Sequence, residues 1–519
     1  MRNTTPSFVC ELEMCVKPGQ AKTLEKRFEA GRNLYNAVLG ESFKRLKLMR
    51  ESKAYQKARK LPKGKERNQT FEETRKRYKF REYDLHEYAK KVRDSCWIGN
   101  HLDSLAVQKV ATRAFQAAEQ FCFGKRGKPR FKGRNRGLRS LEGKNNASGI
   151  RFRDGKIIWK GEEFSCKVTP GDPVIEHALS CPVKYNRILH RKIRGKDRWF
   201  AQLVLEGTPY VKEKNRERKS GEVGLDVNVS GVAVVSEEEA HLLEFASGLK
   251  EKKKKEIRRT QRQMDRQRRT ANPDNYNPDG TAKKGKRAWN SSKSYLKNRD
   301  ALAEFKRREA VQRKTENNWT VNKILKMGNV FKLEKTSKRS WQRNWGKSVG
   351  RRGPGGFETT LASKAERAGS KVVYFPTGPT KLSRTCVCGR VEEKPLEKRW
   401  HICECGVVAQ RDLFSAFLAR FVEENNNGFR LDTSKALRAW KGAEPLLFEA
   451  VSSLVSQRAS GRSFPPGFGI LSKDPRRQSL SLSNPEGPAD AGDAVTGQNV
   501  SPVCESPGKA ASFAGTPRL

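Results

Sequence analysis

Acidic residues are scarce in this chain of 519 residues: Asp and Glu total 58 against 108 Lys and Arg, a formal net charge of +50. Such an excess opposes compaction by self-repulsion, so it makes sense only opposite a polyanion, with nucleic acid the leading partner. Long apolar runs are also missing. No stretch approaches the ~18 consecutive apolar residues of a membrane span. The opening Met1-Arg2-Asn3-Thr4-Thr5-Pro6 has no apolar core of a signal peptide. A disulfide framework is absent as well: there are eleven cysteines, an odd number, and seven lie scattered at positions such as Cys10, Cys96 and Cys181. This pattern points to a reducing, cytosolic setting. Histidine is rare, with six dispersed residues and no adjacent pair. That leaves no histidine metal site to serve a nucleophilic tyrosine.

The other four cysteines are grouped. Cys386 and Cys388 are followed by Gly389, and Cys403 and Cys405 by Gly406. Two tight pairs can hold one Zn²⁺ tetrahedrally, and the glycines let the chain turn back under the metal. Asp412 follows seven residues after the last cysteine. A zinc ribbon that delivers an acid to a fixed place suggests a nuclease whose metal site lies next door.

Along the chain, Ser7 to Val16 reads as a strand. From Ala21 the apolar residues Leu24, Phe28, Leu34, Val38, Phe43 and Leu46 recur at helical spacing. A charged, exposed segment is expected from Glu51 to about Tyr78. A second helix starts at the N-cap Asp103-Ser104 and runs past Phe121. Lys125, Arg126, Lys128, Arg130 and Lys132 then form a basic loop with one aromatic, Phe131. Its cations suit a sugar-phosphate chain, and Phe131 either stacks a base or packs inward. Residues 149–211 alternate like strands and predict a small barrel or sheet that the first strand can join. A basic helical hairpin is expected next. Its first arm runs Lys250 to Arg269 and carries Lys252, Lys253, Arg258 and Arg259; its second runs about Ser294 to Lys326. Such a charge run is either a solvated face or a nucleic-acid wall. After about Gln457 Pro, Gly, Ser and Ala dominate, too little apolar surface to order a tail.

Three acids stand out. Asp226 interrupts the apolar hairpin Glu222–Ser236, where an acid is costly unless a cation offsets its desolvation, or unless it lies at a strand edge facing water. Glu334 ends the short strand Asn329–Glu334. A Gly-rich link, Gly350–Gly356, a helix to Ala368 and a strand Lys371–Phe375 follow. Asp412 opens a last helix, where it also suits the helix dipole. The order of hairpin with acid, helices, strand with acid, helix, strand, zinc ribbon and acid on a helix is that of an RNase H-like nuclease core. Three converging carboxylates can hold two Mg²⁺ ions roughly 4 Å apart, since Mg²⁺ prefers hard oxygen ligands.

Here the chain resembles the TnpB family, transposon-encoded RNA-guided nucleases related to compact type V CRISPR effectors. The resemblance rests on Gly224-Leu225-Asp226, Glu334, Leu382-Ser383-Arg384-Thr385-Cys386, Cys403-Glu404-Cys405-Gly406, Arg411-Asp412 and Gly127–Lys132, and covers about residues 7 to 440. It implies a multidomain α+β protein. An N-terminal wedge-like β-barrel (residues 1–20 and 124–215) would carry an inserted helical recognition domain (21–123). A RuvC-like nuclease domain (216–380 and 407–456) would carry the inserted zinc ribbon (381–406), ahead of a disordered tail (457–519). It implies that Asp226, Glu334 and Asp412 are the catalytic, Mg²⁺-binding triad. It further implies a guide RNA and target double-stranded DNA as partners, a short target-adjacent motif, and a prokaryotic cytosolic enzyme. Two departures stand out: the cysteine pairs enclose one residue where the family pattern has two, and Phe414 stands where an Asn is common. A CRISPR-associated relative and a guided repressor remain as alternative readings.

Overall fold

The computed structural model describes residues 6–459 except 135–136, 246–250, 286, 396 and 427. The tail expected over 457–519 lies almost wholly outside the described residues. Among the described residues, no helix is long and apolar enough to cross a membrane.

The chain opens with strand β1 (Ser7–Cys15), whose alternate residues Phe8, Cys10, Leu12 and Met14 are buried. Pro18 starts the long helix α1 (Pro18–Glu51), a place where its missing N–H costs nothing. The charged stretch after it forms two helices, α2 (Lys53–Lys60) and α3 (Lys65–Arg77), followed by α4 (Glu82–Asp94) and the short α5 (Ile98–His101). Helix α6 (Ser104–Cys122) starts where the sequence predicts, with the Asp103 carboxylate accepting from the Leu105 and Ala106 N–H groups. The strands β2 (Ser140–Glu142), β3 (Arg151–Arg153), β4 (Lys156–Trp159) and β5 (Glu162–Cys166) come next. Helix α7 (Pro173–Ser180) then precedes the long hairpin β6 (Val183–Ile193) and β7 (Lys196–Glu206). Together they make a seven-stranded sheet in the order β2-β6-β7-β1-β5-β4-β3, with β1 joining from the far end of the sequence. The helices are fixed to it at Trp159, which is fully buried and whose indole N–H donates to Asp103 at 2.7 Å.

A five-stranded sheet forms the second part. The strands β8 (Glu222–Val227), β9 (Gly231–Val235) and β10 (Ala240–Glu244) run antiparallel. The helices α8 (Glu251–Thr270) and α9 (Lys293–Ile324) pack together as the expected hairpin. Strand β11 (Val330–Glu334) then lies parallel to β8, and β12 (Lys371–Phe375) parallel to β11, giving the order β10-β9-β8-β11-β12. Between them, α10 (Lys338–Arg352) and α11 (Pro354–Arg367) abut. The expected Gly-rich link is thus only a joint, made at Gly353 with φ +65°. One face of this sheet, carrying Val223, Leu225, Val227, Phe331 and Leu333, packs on Val321 and Ile324 of α9 and on Phe357, Leu361 and Ala365 of α11. Each of these larger side chains contributes roughly 1.5–3 kcal/mol on burial.

After the short α12 (Thr377–Thr380), the hairpin β13 (Trp400–Ile402) and β14 (Val408–Gln410) belongs to the cysteine region. Helix α13 (Arg411–Ala419) begins at once, but it is not the last helix. A hairpin, β15 (Val422–Asn425) and β16 (Gly428–Leu431), and the helix α14 (Thr433–Ala459) follow. The sequence reading missed the hairpin because Val422–Asn425 carries only one apolar residue at a buried position.

Candidate active site and metal centre

Successive side chains of a strand point to opposite faces. In β8, therefore, Glu222, Gly224 and Asp226 oppose the face buried against α9 and α11. In β11 the same holds for Lys332 and Glu334. Strand register pairs Leu333 with Leu225, so the next step sets Glu334 beside Asp226 at the carboxyl ends of two parallel strands. Helix α13 covers this face. A Cβ on Gly224 would stand 1.9 Å from the carbonyl oxygen of Ala416 and 3.0 Å from the Arg420 nitrogen. Glycine is therefore required for the helix to lie this close to the sheet, and that approach sets Asp412, in the first turn of α13, over Asp226.

The three carboxylates act on one another. Asp226 is pushed well above the usual carboxylate range, first by burial, then by the negative charges of Asp412 and Glu334, with Arg411 and Arg399 opposing. Part of its surface stays open although protein surrounds its carboxylate. Burial pushes Glu334 up to about 7. Burial also raises Asp412, which is 4% exposed, against the pull of Arg399, Gln410, Asn228 and Arg411. The Gln410 amide donates to Asp412 Oδ2 at 3.2 Å, and the Arg399 guanidinium stands 3.7 Å from Oδ1. Three desolvated acids whose repulsion the surrounding arginines only partly offset fit divalent cations.

The cysteines form a second site. Cys386, Cys388, Cys403 and Cys405 bring their sulfurs within 4.8 Å of one another. Cys386 lies 3.5 Å from Cys405 and Cys388 lies 3.7 Å from Cys403. A tetrahedral Zn²⁺ with Zn–S of ~2.3 Å needs sulfurs ~3.8 Å apart, whereas a disulfide needs ~2.05 Å. The geometry fits zinc despite the short spacing within each pair. Both pairs are built alike. Cys386 N–H donates to Arg390 O and Gly389 N–H to Cys386 O; Cys403 N–H donates to Val407 O and Gly406 N–H to Cys403 O. Gly389 and Gly406 adopt φ +87° and +88°, as the turn-back requires.

The ribbon and the acids are joined directly. Trp400 of β13 pairs with Gln410 of β14, and Arg411 donates to the carbonyls of Pro395 and Lys398. The His401 ring stacks on Phe414 with centroids 4.1 Å apart. Phe414, which stands where the family pattern often has Asn, thus packs between the ribbon and Trp440 of α14. Arg399, Gln410 and Asn228 were not foreseen as neighbours of the acids. Their signal in sequence was only their closeness to Asp412 and Asp226.

The basic loop is anchored. Asn36 of α1 donates to Lys132 O at 2.9 Å and accepts from Lys132 N–H at 2.7 Å. Phe131 is 57% exposed and meets Phe43 edge-on at 6.2 Å, so it does not pack inward. Lys125, Arg126, Lys128 and Arg130 are exposed, and Lys132 lies over Tyr35. On α8, Arg258 and Arg259 are exposed; the side chains of Lys252 and Lys253 lie outside the described residues.

Residues 355–418 match the family described as Cas12f1-like, TNB domain. That segment spans α11, β12 and the ribbon, and ends within α13. Two solved structures are similar to the chain. One is a cryo-EM Cas12f1-sgRNA-target DNA complex, with 13% identity, TM-score 0.42, and coverage of 79% of this chain and 98% of that one. The other is a cryo-EM CRISPR-Cas12f ternary complex, with 14% identity, TM-score 0.25, and coverage of 79% of this chain and 82% of that one. No curated protein matches the chain.

Proposed function

We propose that this chain is an RNA-guided DNA endonuclease of the Cas12f/TnpB type, with Asp226, Glu334 and Asp412 as a RuvC-like, Mg²⁺-binding triad. The observation that carries the reading is the convergence of these three acids on one sheet face under α13, beside a four-cysteine ribbon. The match of residues 355–418 to a Cas12f1-like domain supports it. So does a sheet that joins an acid-bearing antiparallel hairpin to two parallel strands, as an RNase H-like core requires.

In this reading Asp226, Glu334 and Asp412 supply hard oxygen ligands at one edge of the parallel strands. Divalent ions held there would supply water activation and stabilisation of the leaving oxygen in phosphodiester hydrolysis. Gln410 and Asn228 orient Asp412. Arg399, fixed on the ribbon, offers a guanidinium at the site's rim. The seven-stranded sheet, on this proposal a wedge-like barrel, and its helices hold guide RNA and target DNA. Phe131 offers a base-stacking face among the loop cations. Sequence recognition then falls to guide–target pairing.

The test is sequencing of RNA co-purified from the native locus, then cleavage of a matching duplex with Mg²⁺. A discrete RNA ending beyond the gene is expected for a transposon-borne protein, and repeat-derived RNA for a CRISPR-associated one. Asp226→Ala should lower cleavage at least about 1,000-fold while guided binding persists. Heterogeneous RNA or none, or cleavage unchanged in Asp226→Ala, would overturn the reading.

A further inference from the structure

We infer that Lys332 is a positioning residue for the three-acid site: it ties down the far end of α13 and thereby sets where Asp412 stands against Asp226 and Glu334. The inference rests on the nuclease reading above.

A lysine in the middle of a buried strand is costly unless its ammonium is fully partnered. Lys332 is 6% exposed, between the buried Phe331 and Leu333. Its Nζ donates to the Arg420 carbonyl oxygen at 2.7 Å and pairs with Glu222 Oε1 at 2.7 Å. Arg420 caps the C-terminal end of α13. The last carbonyls of a helix lack intrahelical donors and carry the negative end of its dipole, so a cation there is favoured.

The lengths match. From Asp412 to Arg420 is eight residues of helix, ~12 Å at 1.5 Å per residue. From Asp226 to Glu222 is four residues of strand, ~13 Å at ~3.3 Å per residue. Helix and strand therefore run antiparallel over the same span. The acids meet at one end, Gly224 allows contact in the middle, and Lys332 closes the other end. A short helix resting on a glycine can slide or tilt over it. Lys332 removes that freedom at the end away from the chemistry. The competing role, neutralising Glu222, is weaker because the Glu222 side chain is 46% exposed and already hydrated.

The test measures Mn²⁺ binding by electron paramagnetic resonance on the full chain as purified, with Asp226→Ala marking the site-specific component. Lys332→Met should weaken that component about tenfold, as loss of an outer support does at metal sites, with zinc content unchanged. Lys332→Arg should restore most of it, and Glu222→Gln should leave it at the wild-type value. Wild-type affinity in Lys332→Met would overturn the inference, as would an equal loss in Glu222→Gln. If Lys332→Met does not fold, Lys332→Gln, which keeps a donor on a shorter stem, decides on the same outcomes. Absence of any Asp226-dependent Mn²⁺ binding in the wild type would instead overturn the nuclease reading, and the role of Lys332 with it.

Discussion

At the scale of single residues, the acids are distinguished by how their surroundings change their protonation. Glu334 is raised from its ordinary 4.5 to about 7 by burial. Between those values the folded protein keeps a proton that the unfolded chain has released. Stability of the Mg²⁺-free protein therefore falls as pH rises across that window. The thermal midpoint should drop more steeply from pH 4.5 to 7 in the wild type than in Glu334→Gln. If Glu334 is a metal ligand as proposed, adding Mg²⁺ should remove the difference, because the ion would replace the proton. A wild type and variant with parallel pH profiles would mean that Glu334 titrates normally.

At the scale of elements, the ribbon and α13 work as one piece. The β13–β14 hairpin leads directly into α13, and Arg411 is clasped by ribbon carbonyls. Cys403→Ser should therefore release zinc, measured by atomic absorption, and lower cleavage by loosening Asp412. Full zinc content in that variant would contradict the four-cysteine site. The basic loop behaves as a second such element. Asn36 holds its backbone while the Phe131 ring stays exposed, so the face is ready before any ligand arrives. Phe131→Ala should weaken binding of single-stranded nucleic acid by about 1–3 kcal/mol, the usual worth of one stacked base. Unchanged affinity in a fluorescence-anisotropy titration would mean that the ring only covers Phe43.

At the scale of the whole molecule, the two sheets are linked through α9, whose far end packs on the five-stranded sheet. Lys192 of the β6–β7 hairpin pairs with Asp300 at 2.9 Å, and Arg194 N–H donates to Glu304 at 3.3 Å. The described residues end at Ala459. The remainder is rich in Pro, Gly, Ser and Ala and has little apolar surface to bury. A protein ending at Gly469 should keep the wild-type thermal midpoint and, with guide RNA supplied separately, its cleavage. A lowered midpoint by calorimetry would show that the remainder packs on the fold.

The sequence by itself determined the local pieces, because their causes are local. Apolar periodicity marks α1 and α6, Asp103 marks the start of α6, and the alternation in β1 marks its buried face. Cysteine–glycine spacing marks the two knuckles of the four-cysteine cluster. The short hairpin β15–β16 was not legible, since a strand with one buried apolar residue carries no period. The joint at Gly353 was misread because glycines in a row look like a linker whether or not helices flank them. Only tertiary structure decided that Asp226, Glu334 and Asp412, spread over 187 positions of sequence numbering, share one site. That convergence comes from parallel pairing of β8 with β11 and from the close approach of α13 over Gly224. Both depend on contacts between distant segments, which no local pattern encodes. Lys332 is the clearest case. In sequence it is one of 108 basic residues, and its partner, the Arg420 carbonyl, is a backbone atom that only the folded chain brings within reach.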